Sequence, residues 1–173
     1  MSENKMKFEN RLAFYIVNID YLEYLHKYDY EVQYNSEYKK KIKPHLGIIV
    51  ENENNQTFLI PLTSPKDKYK NIKKNVFEYH KIYNKNNQLT GILVIKKMIP
   101  INLKLIKKIT FEKNNKYHFL LSEQLIIISK EKDVILTKIN TFYNKKLNNG
   151  TVYGSTNILA DVKLMEKFNI SEL

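Results

Sequence analysis

The stretch Leu62-Thr63-Ser64-Pro65-Lys66-Asp67-Lys68 sets two hydroxyls, a proline suited to a helix start and two ammonium groups side by side. Hydroxyls and ammonium groups donate hydrogen bonds, and the free N–H groups of a helix start add donors, so the combination suits a phosphate. Ser64 fits an N-cap, Pro65 the first helical position and Asp67 the place of a carboxylate reaching back, which predicts strand, sharp turn and short helix. The same grammar fits a surface helix cap with no further role. Lys66 and Lys68 would bring positive charge to an anion held by Thr63 and Ser64. Such a site suits a reaction whose transition state is a crowded anion, and phosphodiester cleavage is the clearest case. In RNA the 2′-hydroxyl is itself a nucleophile, so a protein need only orient it, stabilise charge on phosphorus and assist two proton transfers.

Other chemistries find less support. There is no Gly-rich phosphate loop, no paired histidine spacing for zinc and no carboxylate cluster for magnesium, so neither a metal nor a cofactor is expected. The histidines, His26, His45, His80 and His118, are scattered, and His45 and His80 are the two candidates for a general base. With no cysteine, disulfides, thiolate zinc sites and cysteine nucleophiles are excluded.

A formal charge of +11 over 173 residues and a pI near 9.5 point to a polyanionic partner. Arg11 is the only arginine, and the abundance of Lys, Asn and Ile also fits compositional bias. Lysines cluster at Lys39-Lys40-Lys41, close to Lys43. Thirteen tyrosines supply rings that can stack on unpaired bases, although half-buried packing explains many of them. No apolar run approaches the ~20 residues of a membrane span and the first residues lack a signal-peptide core, so one cytoplasmic domain over residues 1–173 is expected, with residues 1–10 loose.

The positioning elements read as follows. Leu12 to Val17 predicts a strand, and Asp20 caps a helix carrying Tyr21, Tyr24, Leu25 and Tyr28 on one face. Asp29 to Lys43 predicts a long surface loop. His45 to Val50 and Thr57 to Leu62 form a hairpin around Asn52-Glu53-Asn54-Asn55, which brings Lys43 and the Thr63-Ser64 turn to one sheet end. Val76 to Tyr83 and Thr90 to Ile95 form a second hairpin around residues 84–87, and Leu103 to Phe111 a last strand. Stripes at Tyr117, Leu120, Leu121, Leu125 and Ile128, at Ile135, Ile139, Phe142, Tyr143 and Leu147, and at Ile158, Val162 and Met165 predict three helices. Strands first and helices later indicate α+β architecture, a twisted antiparallel sheet covered by helices.

Four blocks in order carry a family resemblance. They are Phe14-Tyr15-Ile16 leading to Tyr21-Leu22-Glu23-Tyr24-Leu25, Leu46-Gly47-Ile48-Ile49-Val50 behind Lys43, Leu62-Thr63-Ser64-Pro65-Lys66, and Lys97-Met98-Ile99-Pro100-Ile101. From about Phe14 to the stripe ending at Ile128 the chain resembles the ToxN/AbiQ family, the endoribonuclease toxins of type III toxin–antitoxin and abortive-infection systems in phage defence. The resemblance implies a strongly twisted antiparallel sheet with a Kid/MazF-toxin-like barrel core wrapped by helices. It implies metal-independent cleavage of single-stranded, often adenine-rich RNA to 2′,3′-cyclic phosphate and 5′-hydroxyl ends. It also implies inhibition by a small pseudoknot RNA antitoxin that the toxin processes from a repeat transcript, in a cyclic protein–RNA assembly, with no membrane or DNA partner. By position it assigns catalysis to Lys43, Thr63, Ser64 and Lys66. RNA contacts fall to Tyr21 and Tyr38, with Lys39, Lys40, Lys41 and Lys68 as further basic candidates. Two other readings stay open: a non-catalytic RNA-binding protein, and a Kid/MazF-type toxin with a protein antitoxin.

Overall fold

The structure is a computed structural model that describes residues 5–36, 45–168 and 170. At its centre the strands β3 (Leu46–Glu51) and β4 (Thr57–Thr63) pair antiparallel from Gly47↔Pro61 to Glu51↔Thr57. The two backbones lie close at Gly47, where a Cβ would stand 2.1 Å from the carbonyl oxygen of Ile60, so only glycine fits. Asn52 closes the hairpin: its Oδ1 accepts from the N–H of Asn54 and Gln56, its Nδ2 donates to Gln56 Oε1, and Asn55 takes the left-handed conformation at φ 60°.

The remaining strands share the two edges of this ribbon in halves. β1 (Lys7–Phe8) and β2 (Tyr15–Val17) pair with opposite halves of β3, at Phe8↔Val50 and Ile16↔Leu46. β6 (Leu89–Val94) and β7 (Ile99–Ile101) pair with opposite halves of β4, at Leu62↔Leu93 and Phe58↔Pro100, with a 3-10 turn at Ile95–Lys97 between them. β5 (Tyr79–Tyr83) extends the sheet beyond β6, and β8 (Ile106–Lys108) extends it beyond β2. The path β5-β6-β4-β3-β2-β8 is open, so the barrel core expected from the resemblance is not a closed barrel. Each edge of the ribbon is thus divided between two short strands.

Alternation along β4 feeds two cores. Phe58 and Ile60 join Ile48, Val50 and residues of α3 (Lys116–Lys130) and α4 (Lys132–Leu147), including Leu121, Ile128, Ile139 and Phe142. Leu59 joins Ile99, Ile101 and residues of α1 (Ile19–Tyr28) and α5 (Ile158–Lys167), including Tyr21, Leu22, Leu25 and Met165.

Several boundaries differ from expectation for local reasons. Asn18, not Asp20, caps α1, its Oδ1 accepting from the Tyr21 N–H at 3.0 Å, and Tyr28 is left exposed. Within the stretch expected to be loose, Met6 and Phe8 are buried and β1 pairs with β3, because those apolar side chains find a place in the first core. The strand expected over Leu103 to Phe111 keeps only β8, since Asn102 caps a 3-10 turn over Leu103–Leu105 by accepting from the Lys104 N–H.

Asp161, in the first turn of α5, is fully buried, and burial together with the Asp29 carboxylate raises its pKa from 3.8 to about 8, with Lys146 opposing. Asp29 itself accepts from the N–H groups of Asn157 and Glu31, joining the ends of α1 and α5. The fold therefore holds a proton that the unfolded chain releases near pH 4, so this group erodes stability as pH rises from about 4 to about 8. Asp161→Asn is expected to flatten that decline and melt above the parent at pH 8, by about 2–4 °C per kcal/mol recovered, with the gap closing near pH 4 in thermal melts.

A candidate active-site cleft at the open end of the central hairpin

The antiparallel register puts the start of β3 and the end of β4 at one sheet end, where Thr63 pairs with Ile92 of β6. Beyond Thr63 residues 64–66 belong to neither strand nor helix. The short helix α2 (Asp67–Lys70) begins after Lys66, whose φ of −114° and ψ of 155° are extended, and no side chain caps it. Ser64 is therefore not an N-cap and Pro65 not the first helical residue. The helix starts only at Asp67, because Lys66, two positions after Ser64, is extended and not helical. Asp67 does not reach back either, and pairs with Lys70 at 2.7 Å. Tyr69 anchors the turn against Ile92 and Val94, leaving Lys66 and Lys68 exposed, with the Lys68 ammonium 4.9 Å from the Tyr69 ring centre.

Thr63 and Ser64 line a cleft of about 60 Å³ together with Leu46, Leu62, Thr90, Tyr117, Leu120 and Gln124. The last three lie on one face of α3, whose first turn is held by Asn115 Oδ1 accepting from the N–H groups of Tyr117 and His118. Gln124 ties α3 to β6 by donating from Nε2 to the Thr90 carbonyl at 2.9 Å. Gly91 allows this approach, since a Cβ there would stand 2.6 Å from that nitrogen. Tyr117 is 41% exposed, and partial burial raises its pKa. Next to it a wider cleft of about 630 Å³ includes Phe111, Lys113, Lys116, His118 and Phe119, with His118 Nδ1 accepting from the Glu112 N–H.

The other candidates from the sequence are placed elsewhere. Tyr21 is fully buried in the second core and donates from its hydroxyl to the Pro100 carbonyl at 2.6 Å, so it is a packing residue without access to a ligand. His45 is buried, and desolvation lowers its pKa to about 4. His80 sits in a network between β5 and the α3–α4 junction: Nε2 meets Glu131 at 2.6 Å, and Nδ1 accepts from the Lys138 ammonium, which also donates to the carbonyls of Lys74 and Tyr79. Burial lowers the pKa of both His80 and Lys138. Neither histidine lines the cleft. Tyr38, Lys39, Lys40, Lys41 and Lys43 lie outside the described residues. Among the described residues no group of three His, Asp or Glu side chains converges on a metal-sized site. Tyr117, Gln124 and Thr90 are the cleft residues that local patterns did not single out as functional; Tyr117 had been read only as part of a helical stripe.

Together these groups present hydroxyls, a phenol and a carboxamide around a small volume, with lysines on the adjoining turn. They can hold an anionic oxygen and orient a neighbouring hydroxyl. Gly91→Ala is expected to displace the Gln124 amide and cost ~1–3 kcal/mol, read as a lower midpoint in urea. Tyr21→Phe should cost about 1–3 kcal/mol by leaving the Pro100 carbonyl unpaired in the core, with the urea slope unchanged.

Comparison with known proteins accounts for the arrangement. The chain is 25% identical to the endoribonuclease ToxN of Bacillus thuringiensis subsp. kurstaki over 75% of its own length and 66% of that protein. It is 32% identical to the endoribonuclease ToxN of Pectobacterium atrosepticum over 84% and 87% of the two chains, and 28% identical to the endoribonuclease AbiQ of Lactococcus lactis subsp. lactis over 90% and 86%. A solved structure described as "A processed non-coding RNA regulates a bacterial antiviral system" shares the fold with a TM-score of 0.80 at 24% identity, covering 91% of this chain and 99% of that one. The family model for the toxin ToxN of type III toxin–antitoxin systems matches residues 13–169, and the chain belongs to that toxin family.

Proposed function

We propose that this chain is an endoribonuclease toxin that cleaves single-stranded, adenine-rich RNA without a metal ion, in the cytoplasm, as part of phage defence. The observation that carries the reading is the placement of Thr63 and Ser64 in a cleft at the open hairpin end of a chain from the ToxN family. In the reaction the 2′-oxygen attacks the adjacent phosphorus, the P–O5′ bond breaks, and its electron pair leaves on O5′. The products are a 2′,3′-cyclic phosphate and a 5′-hydroxyl. Thr63 and Ser64 donate to the scissile phosphate, and Lys66, exposed on the following turn, balances the charge that builds on it. Lys43, three positions before β3 in the sequence, assists removal of the 2′-proton, and a protonated group returns a proton to O5′.

Chain sequence flanking the scissile bond has the wider cleft beside Tyr117 to run along, where Phe111 and Phe119 offer ring faces and Lys113 and Lys116 positive charge. The charge of +11 adds long-range attraction, so affinity falls steeply with salt. The inhibitor is a small pseudoknot RNA that the toxin itself releases from a repeat transcript and with which it assembles in a closed ring. The solved relative described by a processed non-coding RNA in an antiviral system supports that partner.

Ser64→Ala and Lys66→Ala are each expected to lower cleavage of an adenine-rich oligoribonucleotide in chelator by ~10²-fold or more, with the parent's products carrying cyclic phosphate ends. Undiminished cleavage by both variants overturns the assignment.

A further inference from the structure

Gln124 is 2% exposed. Its Nε2 donates to the Thr90 carbonyl at 2.9 Å and lies 3.4 Å from Thr90 Oγ1, which settles which end of the amide is nitrogen. The other end, Oε1, is buried and accepts no hydrogen bond. Buried acceptors are nearly always paired, and leaving one unpaired is costly, so an orphaned oxygen on a residue that lines the cleft calls for a donor.

The cleft limits what that ligand group can be. Its volume of about 60 Å³ matches two waters at ~30 Å³ each, far below the ~300–1,000 Å³ of pockets that enclose whole ring systems. No base enters. A carboxamide oxygen only accepts, so it has no use for a phosphate oxygen, which also only accepts. The RNA backbone offers one small donor, the 2′-hydroxyl, which is also what separates RNA from DNA.

We infer that Gln124 Oε1 accepts a hydrogen bond from the 2′-hydroxyl that attacks the scissile phosphate, and so acts as the residue that orients the nucleophile. The inference rests on the cleavage reaction proposed above and adds a residue to it. With the hydroxyl rotation fixed by the carboxamide, a lone pair of O2′ faces the phosphorus held at Thr63 and Ser64. The carboxamide takes no proton. As the O2′–P bond forms, that proton passes to the base and the electron pair of the breaking P–O5′ bond leaves on O5′. Because Oε1 is buried, the hydroxyl reaches it only when a neighbouring lining side chain moves aside. Nε2 stays on Thr90, so the tie between α3 and β6 holds Oε1 in place while the hydroxyl docks.

The test first maps cleavage of an adenine-rich oligoribonucleotide by the parent protein in chelator. No cleavage overturns the proposed function and this inference together. Where cleavage occurs, binding to Ser64→Ala protein is compared for the same RNA with 2′-hydroxyl or 2′-fluoro at the nucleotide 5′ of the scissile bond, fluorine removing the donor alone. The 2′-fluoro RNA should bind ~10-fold more weakly, and this penalty should vanish in the Ser64→Ala, Gln124→Met double variant. Gln124→Met alone should lower kcat with little change in KM. Gln124→Leu, which also lacks the acceptor oxygen, serves as the second variant if the methionine protein does not fold. Equal binding of the two RNAs, or the same penalty with and without the Gln124 oxygen, overturns the inference and leaves the cleavage reaction standing.

Discussion

The antiparallel contact between β3 and β4 is the constraint on which everything else depends. These strands are buried on both faces, so their alternating side chains must satisfy two cores at once, Ile60 on one side and Leu59 on the other. A slip of one residue would exchange the two sets. Gly47 adds a second lock, since no other residue allows the Ile60 carbonyl to come so near. The register that these packing demands impose also decides which residues end up at the open end of the ribbon. Thr63 and Ser64 stand at the cleft because Leu59 and Ile60 are held where they are.

The division of each ribbon edge into two half-strands has a functional consequence. β6 leaves β4 at the 3-10 turn of Ile95–Lys97, and β7 takes over the remainder of the edge. The piece of β6 that stays beside Thr63 carries Thr90 and Gly91 next to α3. A glycine at that point lets the Gln124 carboxamide press onto the strand, and the cleft is the space left between helix and hairpin end. Thr63, Ser64, Thr90 and Gln124 bring polar atoms to it beside Leu46, Leu62 and Leu120, whereas the cores on either side are built mainly from apolar side chains.

Two buried polar clusters lie away from the cleft and act through packing. His80 is held between Glu131 and Lys138, with the ammonium also donating to two backbone carbonyls, so a strand and a helix junction are joined by hydrogen bonds. Asp161 is buried with little compensation beside Asp29 and keeps its proton as a result. In both clusters burial is the leading cause and each shift favours the neutral form, lowering His80 and Lys138 and raising Asp161.

The sequence by itself determined the local elements, because their causes are local. Asn52-Glu53-Asn54-Asn55-Gln56 and Asn84-Lys85-Asn86-Asn87-Gln88 repeat one pattern, and both fold into the same turn, with the first asparagine accepting two backbone N–H groups and the fourth taking positive φ. The helical stripes and the hairpin that brings Thr63 and Ser64 to a sheet end were legible for the same reason. Tertiary structure decided which side of each element faces what. Tyr21 and Tyr117 look alike as helix tyrosines, yet one is sealed against Pro100 and the other stands at the cleft, since packing across distant elements selects the face. Ser64 caps no helix because the chain is still extended at Lys66 and turns helical only at Asp67. Gln124 carried no sign in sequence at all. Its importance comes from Gly91 and Thr90, more than thirty positions earlier, and from a carbonyl oxygen of its own amide that the fold buries without a partner.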